Sequence, residues 1–346
     1  MNKRSMTVLI CFFTLLIASG VIYKIMNRNT PAQQYDNLQV ILPGIEISAL
    51  FDDGEKLWTG TAEGIYLLDR DTGDILGRPD ADIHMIYSAM IKRTGDGLIW
   101  AGHEDGLSAF DTDGNEILRF DAPMIPGGRV NAILAEEDGL WAGSQEGAAH
   151  LVREEGEWRV DEILTTSSGL AEDVVQVIEK VGDELWFGSY LARDKGGISI
   201  RTAAGWEYLG TDDGIPHRYI NAILPLDSKN VLIGSGQLIY GGLSVAERTE
   251  DGWKIRYTRD QNDGIPGMKV RWLFLDSAGK LWITTEADGI IILDSPDMLK
   301  ETPLKGLVLK QENGLADDEI KCIEESDKCY WLGGKYGLTR YGKDLP

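Results

Sequence analysis

A Leu-Trp frame returns along this chain at near-constant intervals. Trp58, Trp100, Trp141, Trp186, Trp282 and Trp331 occupy it, and Leu232 stands in the one unit that lacks Trp. The spacings are 42, 41, 45, 46, 50 and 49 residues. A glycine follows two residues after the frame position in six of the seven units, with Thr284 as the exception. A period of about 40–50 residues built of short strands is the signature of propeller blades, each a four-stranded sheet that buries its faces against its neighbours. Each unit reads as four strands, A to D from the hub outward. An apolar strand such as 130–134 comes first, then an acidic turn and the Leu-Trp strand. A glycine turn leads to a third strand such as 106–110, and the fourth carries a Trp at 158, 206 and 253.

The two ends complete the count. After Trp331 only one further strand, "YGLTRYG", remains, so the seventh unit lacks its strand D. Before the first unit lies an orphan strand, "NLQVILPG", at 37–44. If it supplies the missing strand the ring closes and no open sheet edge is left. The expected fold is all-β: a seven-bladed propeller over residues 31–346, closed by its N-terminal strand and preceded by an apolar segment in residues 1–30.

"NGLADDEIKCIEESDKCYWLGGKYGLTRY", "DGIPHRYINAILPLDSKNVLIGSG" and "SGLAEDVVQVIEKVGDELWFGS" share one frame. That frame resembles the repeat of the two-component regulator propellers, over about residues 37–342. The resemblance implies an extracytoplasmic sensor region of the kind found in membrane histidine kinases, many of which respond to polysaccharide fragments. This sequence carries no kinase and no second long apolar segment, so the expectation is ligand or partner binding rather than direct signalling. At the level of the repeat the chain also resembles the streptogramin lyases, which makes an elimination lyase the alternative function. A purely structural scaffold in an envelope complex is a further one.

Residues 1–30 differ from the rest. Lys3 and Arg4 precede an apolar run from Met6 to Tyr23, followed by Lys24 and Arg28. Eighteen residues lie within the range that crosses a bilayer. The run reads as a signal anchor, or as a signal peptide cut near Ala18-Ser19-Gly20. Either places the body outside the cytoplasm, periplasmic or at the cell surface, with the membrane as a partner through the anchor. The net charge of −22 argues against nucleic acid as a partner, since a phosphate backbone would be repelled. Forty-one glycines and frequent Asp-Gly pairs fit many tight turns.

No cofactor is expected: the sequence has no phosphate-binding glycine loop, no Gly-x-Ser-x-Gly and no Cys-x-x-Cys. His84 and His103 fall on loops of the second unit that open to one face, which allows a metal site in principle, though their spacing matches no defined metal pattern. His150 reads as structural. Cys322 and Cys329 lie on opposite arms of the last hairpin and would form a disulfide if the register brought their β-carbons to about 4 Å.

Strand order fixes which loops share a face: A–B with C–D, and B–C with D–A. Propellers bind at the second face, over the channel mouth, where loops converge from every blade. From the frame position to the glycine opening strand C, five units span six or seven residues. Unit four spans eleven, to Gly197, and unit five ten, to Gly242. These neighbouring long loops bring Tyr190, Leu191, Arg193, Lys195, Leu238, Ile239 and Tyr240 to one sector. Adjacent D–A loops add His217, Arg218, Tyr219, Lys269, Arg271 and Trp272. Aromatic faces stack on sugar or apolar rings, and arginine forks pair with carboxylates or sulfates. The sector is therefore the expected site for a small anionic or glycan-like ligand, or for a partner protein of the envelope.

Overall fold

Twenty-eight strands fall into seven four-stranded antiparallel sheets among the residues that the computed structural model describes, 34–84, 90–192 and 195–343. Blades 1 to 6 take consecutive strands, beginning at Ile47, Ile91, Val130, Val175, Ile220 and Val270. Blade 7 is completed from the other end of the chain. Leu38–Ile41 pairs antiparallel with Gly337–Gly342, Leu38 opposite Tyr341 and Ile41 opposite Leu338. Asn37 locks the start of that strand, donating its side-chain amide to the Gly342 carbonyl at 2.9 Å and accepting the Gly342 N–H at 3.0 Å. The ring thus closes as the sequence indicates, and both otherwise open edges are paired.

The frame residues are the wedges between blades. All seven, Leu232 included, are at most 2% exposed. Trp58 meets Phe110 at 5.8 Å, Trp100 meets Trp158 at 4.8 Å, Trp186 meets Trp253 at 4.8 Å, and Trp282 meets Tyr330 at 4.5 Å. Each of these pairs joins one blade to the next and adds to the burial of its rings. The acidic turn before the frame has a definite task. Asp53 Oδ1 accepts the N–H groups of Glu55 and Lys56, shaping the turn, while Oδ2 accepts the Trp58 indole N–H at 2.8 Å. Asp276 repeats this with Ala278, Lys280 and Trp282. One carboxylate therefore sets the turn and satisfies the buried indole.

The repeated Gly-Leu or Gly-Ile signature has an equally local cause. In the D–A connections before blades 4 to 7 a single 3-10 turn is followed by Gly169, Gly214, Gly264 or Gly314, with φ between 103° and 124°. A side chain there is strained, so glycine is required. The next residue, Leu170, Ile215, Ile265 or Leu315, is at most 5% exposed and plugs the space between blades.

Hydrogen bonds across loops confirm the assignment of faces. In blade 2, Glu104 N–H bonds the His84 carbonyl; between blades 4 and 5, Gly197 N–H bonds the Arg218 carbonyl; in blade 5, Gly236 N–H bonds the Tyr219 carbonyl. Each joins a B–C loop to a D–A loop.

Two expectations need separate treatment. The apolar run Met6–Tyr23 lies outside the described residues, among which no helix is long and apolar enough to cross a membrane. The disulfide does not form. Cys322 pairs in register with Gly333 and Cys329 with Gly342, which sets them at opposite ends of the hairpin, and both are buried free thiols.

A candidate ligand site at the channel mouth

Six of the seven A strands begin with the same irregularity. Pairing with strand B slips between the first and third residues, Ile47/Ala49, Val130/Ala132, Val175/Val177, Ile220/Ala222, Val270/Trp272 and Ile320/Cys322. The skipped residues are Ser48, Asn131, Gln176, Asn221, Arg271 and Lys321. A bulge turns its extra residue out of the ladder and re-aims its side chain. Here all six line the central channel or its mouth.

The mouth is a cavity of about 420 Å³ on the B–C and D–A face. Five basic residues, Arg129, Lys269, Arg271, Lys321 and Lys335, and three acidic ones, Glu46, Glu286 and Glu319, line it with Tyr190 and Leu191. In a chain of net charge −22 this is a local excess of positive charge. Lys269 is 3% exposed and holds Glu286 at 3.0 Å. Burial, reinforced by the nearby Arg271, lowers its pKa, and Glu286 opposes the shift. Lys321, equally enclosed, pairs with Glu46 and stands 3.9 Å from Glu319.

Arg271 differs from both. Its side chain is 13% exposed, and its nearest carboxylate oxygen, on Glu319, is 3.9 Å from Nε. Its guanidinium has no hydrogen-bond partner among the described residues, and neither does the Tyr190 hydroxyl. Burial raises the Tyr190 pKa, and the neighbouring Arg271 charge pulls against that rise. A fork of donors and a phenol thus share one cavity with their hydrogen-bonding capacity unspent, an arrangement suited to a carboxylate, sulfate or phosphate.

The predicted sector is therefore only partly one site. Tyr190, Lys269 and Arg271 meet at the mouth, and Trp272 lines the bore beneath. His217 and Tyr219 form the flank. Tyr219 packs 5.0 Å from Tyr190 and 4.8 Å from His217, and Arg218 lies over the Tyr219 ring at 5.6 Å. His217 Nδ1 accepts the Tyr219 N–H at 3.0 Å, and burial lowers its pKa, with Arg218 and Lys269 adding to the effect. Lys195 lines a different surface cleft, with Tyr208 and Asp212. Arg193 lies outside the described residues. Tyr240 belongs to the tip of an extended hairpin, 66% exposed beside Leu238 at 73% and Ile239 at 68%. Leu238 has a φ of 52°, a strained conformation for leucine.

The His84/His103 alternative does not assemble. His103 is 1% exposed. Its Nδ1 accepts the Asp105 N–H, so Nε2 carries the proton and donates to Ser108 Oγ at 3.1 Å, which in turn donates to Glu116. Burial depresses its pKa to about 4. His84 bonds the Ala62 carbonyl through Nδ1. Neither lines the mouth, and no cluster of three metal-ligating residues occurs among the described residues.

Sequence reasoning missed Glu46, Arg129, Glu286, Glu319, Lys321 and Lys335. A signal was available for the bulge residues: a single polar residue interrupts the apolar start of strand A in "VNAIL", "INAIL", "VRWLF" and "IKCI".

Residues 264–287 match the family model described as two component regulator propeller. No curated protein matches the chain by sequence. Among solved structures, the extracellular domain assigned to a hybrid two component system of B. thetaiotaomicron is similar, at 18% identity and a TM-score of 0.70, over 89% of this chain and 41% of that one. The extracellular domain of a system from the same organism described as one component gives 18%, 0.66, 89% and 40%. The Neurospora crassa Pan2 WD40 domain gives 10% and 0.59, over 91% of this chain and 98% of that one. At these identities the likeness is one of fold, and the chain spans about two-fifths of the length of the two B. thetaiotaomicron chains.

Proposed function

The chain carries the two component regulator propeller repeat on a closed seven-bladed ring, and from that premise we infer that it is an extracytoplasmic sensing module that binds an anionic ligand at the channel mouth and performs no chemistry on it. One observation carries this reading: the nearly buried Arg271 fork, without a hydrogen-bond partner among the described residues, faces a 420 Å³ cavity beside the free Tyr190 hydroxyl. The guanidinium has only a long contact with Glu319 and so keeps donors to spare, which an anion entering the cavity would use. The local excess of positive charge would draw such a ligand in.

Residence outside the cytoplasm is supported by the apolar run Met6–Tyr23 behind Lys3 and Arg4, and by the extracellular origin of the similar B. thetaiotaomicron domains. We take the run as a membrane anchor. Alkaline extraction of membranes tests this, and release of the chain into the soluble fraction would sink it.

The binding test uses the purified full chain and a panel of acetate, glucuronate, phosphate and sulfate. At least one anion should raise the thermal midpoint. Arg271→Ala should abolish that rise while folding normally. A panel without effect on the parent chain removes the reading.

A second reading, docking of a partner protein, is favoured by the blade 5 hairpin. Its strands pair out to Gln237 and Tyr240, and its two-residue tip presents Leu238 and Ile239 to solvent. A strained leucine and an exposed isoleucine at a turn are a poor choice for stability alone.

A further inference from the structure

Beneath the mouth lies a second space, a bore of about 100 Å³ along the channel axis. The two share Asn131, Gln176, Arg271 and Lys321 as lining residues, so the charged collar opens directly on the bore. The bore wall is mostly apolar, with Met90, Val177 and Trp272 among its residues. The carboxyl of Glu179 on the same wall is pushed up to about 7, chiefly by burial, which marks the space as poorly hydrated. An apolar cavity of about 150 Å³ takes up a benzene molecule, so this bore has room for a smaller apolar group.

Resting on the anion-binding reading above, we propose that the ligand is a small carboxylate amphiphile: its carboxylate is held by the Arg271 fork at the mouth, and its short apolar tail enters the bore along Trp272. A highly hydroxylated acid gains little from the apolar part of such a wall. A bare inorganic anion leaves the bore unused. A tail of a few carbons satisfies both halves at once, and each methylene that leaves water strengthens binding about fourfold.

The test is isothermal titration calorimetry on the full chain with acetate, butyrate, hexanoate and octanoate, beside glucuronate. Affinity should rise along the series until the tail fills the bore, and then level off. Arg271→Lys keeps the charge and loses the fork, and should weaken every member by tenfold or more. Trp272→Ala widens the bore and should shift the preferred chain length upward. If hexanoate binds no more tightly than acetate, or if the chain-length gain is the same in Trp272→Ala, the amphiphile proposal falls while anion binding at Arg271 stands. If neither the series nor glucuronate, phosphate or sulfate binds at all, the anion reading falls and takes this one with it.

Discussion

Asn221 and Arg271 occupy the same bulge position in adjacent blades and do opposite things. The Asn221 amide is 8% exposed and donates to the carbonyls of Gly236 at 3.1 Å and Val270 at 3.0 Å. It ties blade 5 to blade 6. Arg271, one blade on, makes no hydrogen bond to a neighbouring blade: its one charged contact, with Glu319, is long at 3.9 Å, and its side chain lines the mouth. Asn131 behaves like Asn221, bonding Val175 of the next blade at 3.1 Å. A repeat can spare some copies of a structural position, and the spared copies are where binding chemistry can be placed.

The contrast can be attacked at its structural pole first. Trp282→Ala removes a ring that is 1% exposed between blades 6 and 7 and leaves a cavity. It should cost about 3–5 kcal/mol in chemical denaturation. A loss under about 1 kcal/mol would mean that the frame residues are not the wedges described above.

The second effect is a pH dependence from two buried carboxyls. Burial raises the carboxyls of Glu179 and Glu324 to about 7, against an ordinary value of 4.5. The folded chain then holds these protons more tightly than the unfolded chain does. Their contribution is complete below about pH 4.5 and is lost as pH rises through 7. Stability should fall by on the order of 1–3 kcal/mol across that window, and Glu179→Gln with Glu324→Gln should flatten the fall. An unchanged slope in the double variant would assign the pH dependence to other groups.

Third comes Asn221→Ala. It strands two buried carbonyl contacts and should cost about 1–3 kcal/mol, with anion-dependent stabilisation retained. The smallest change in stability is expected for Arg271→Asn, which places the blade 5 residue in blade 6. Its denaturation midpoint should move by less than about 1 kcal/mol, since the Glu319 contact is long, and the response to anions should vanish. If Arg271→Asn destabilises as much as Asn221→Ala, the two positions are equivalent and the contrast collapses.

Much of the architecture was legible because its causes are local. The Leu-Trp frame, the acidic turn and the glycine before Leu170, Ile215, Ile265 and Leu315 each work within a few residues, so spacing alone revealed seven blades and the closing strand. The site was less legible because its parts come from blades far apart in the chain: Glu46 precedes blade 1, Arg129 precedes blade 3, and Lys321 belongs to blade 7. Loop length pointed to blades 4 and 5, and it singled out Tyr190, which lines the mouth. It also pointed to Tyr240, which the extended hairpin carries out into solvent, and to Lys195, which the same long loop sends to another cleft. The cysteines failed for a different reason. Adjacency on a hairpin says nothing of register, and here the register separates them.

The strand Leu38–Ile41 is synthesised long before its partner, Gly337–Gly342. A growing polypeptide therefore carries an open arc with two bare margins until that last hairpin of the ring arrives. The ion pair between Lys321 and Glu46 bridges the same junction between last and first blades. The collar that would hold an anion is thus whole only once the ring has closed, and a response to that anion would double as a report on closure.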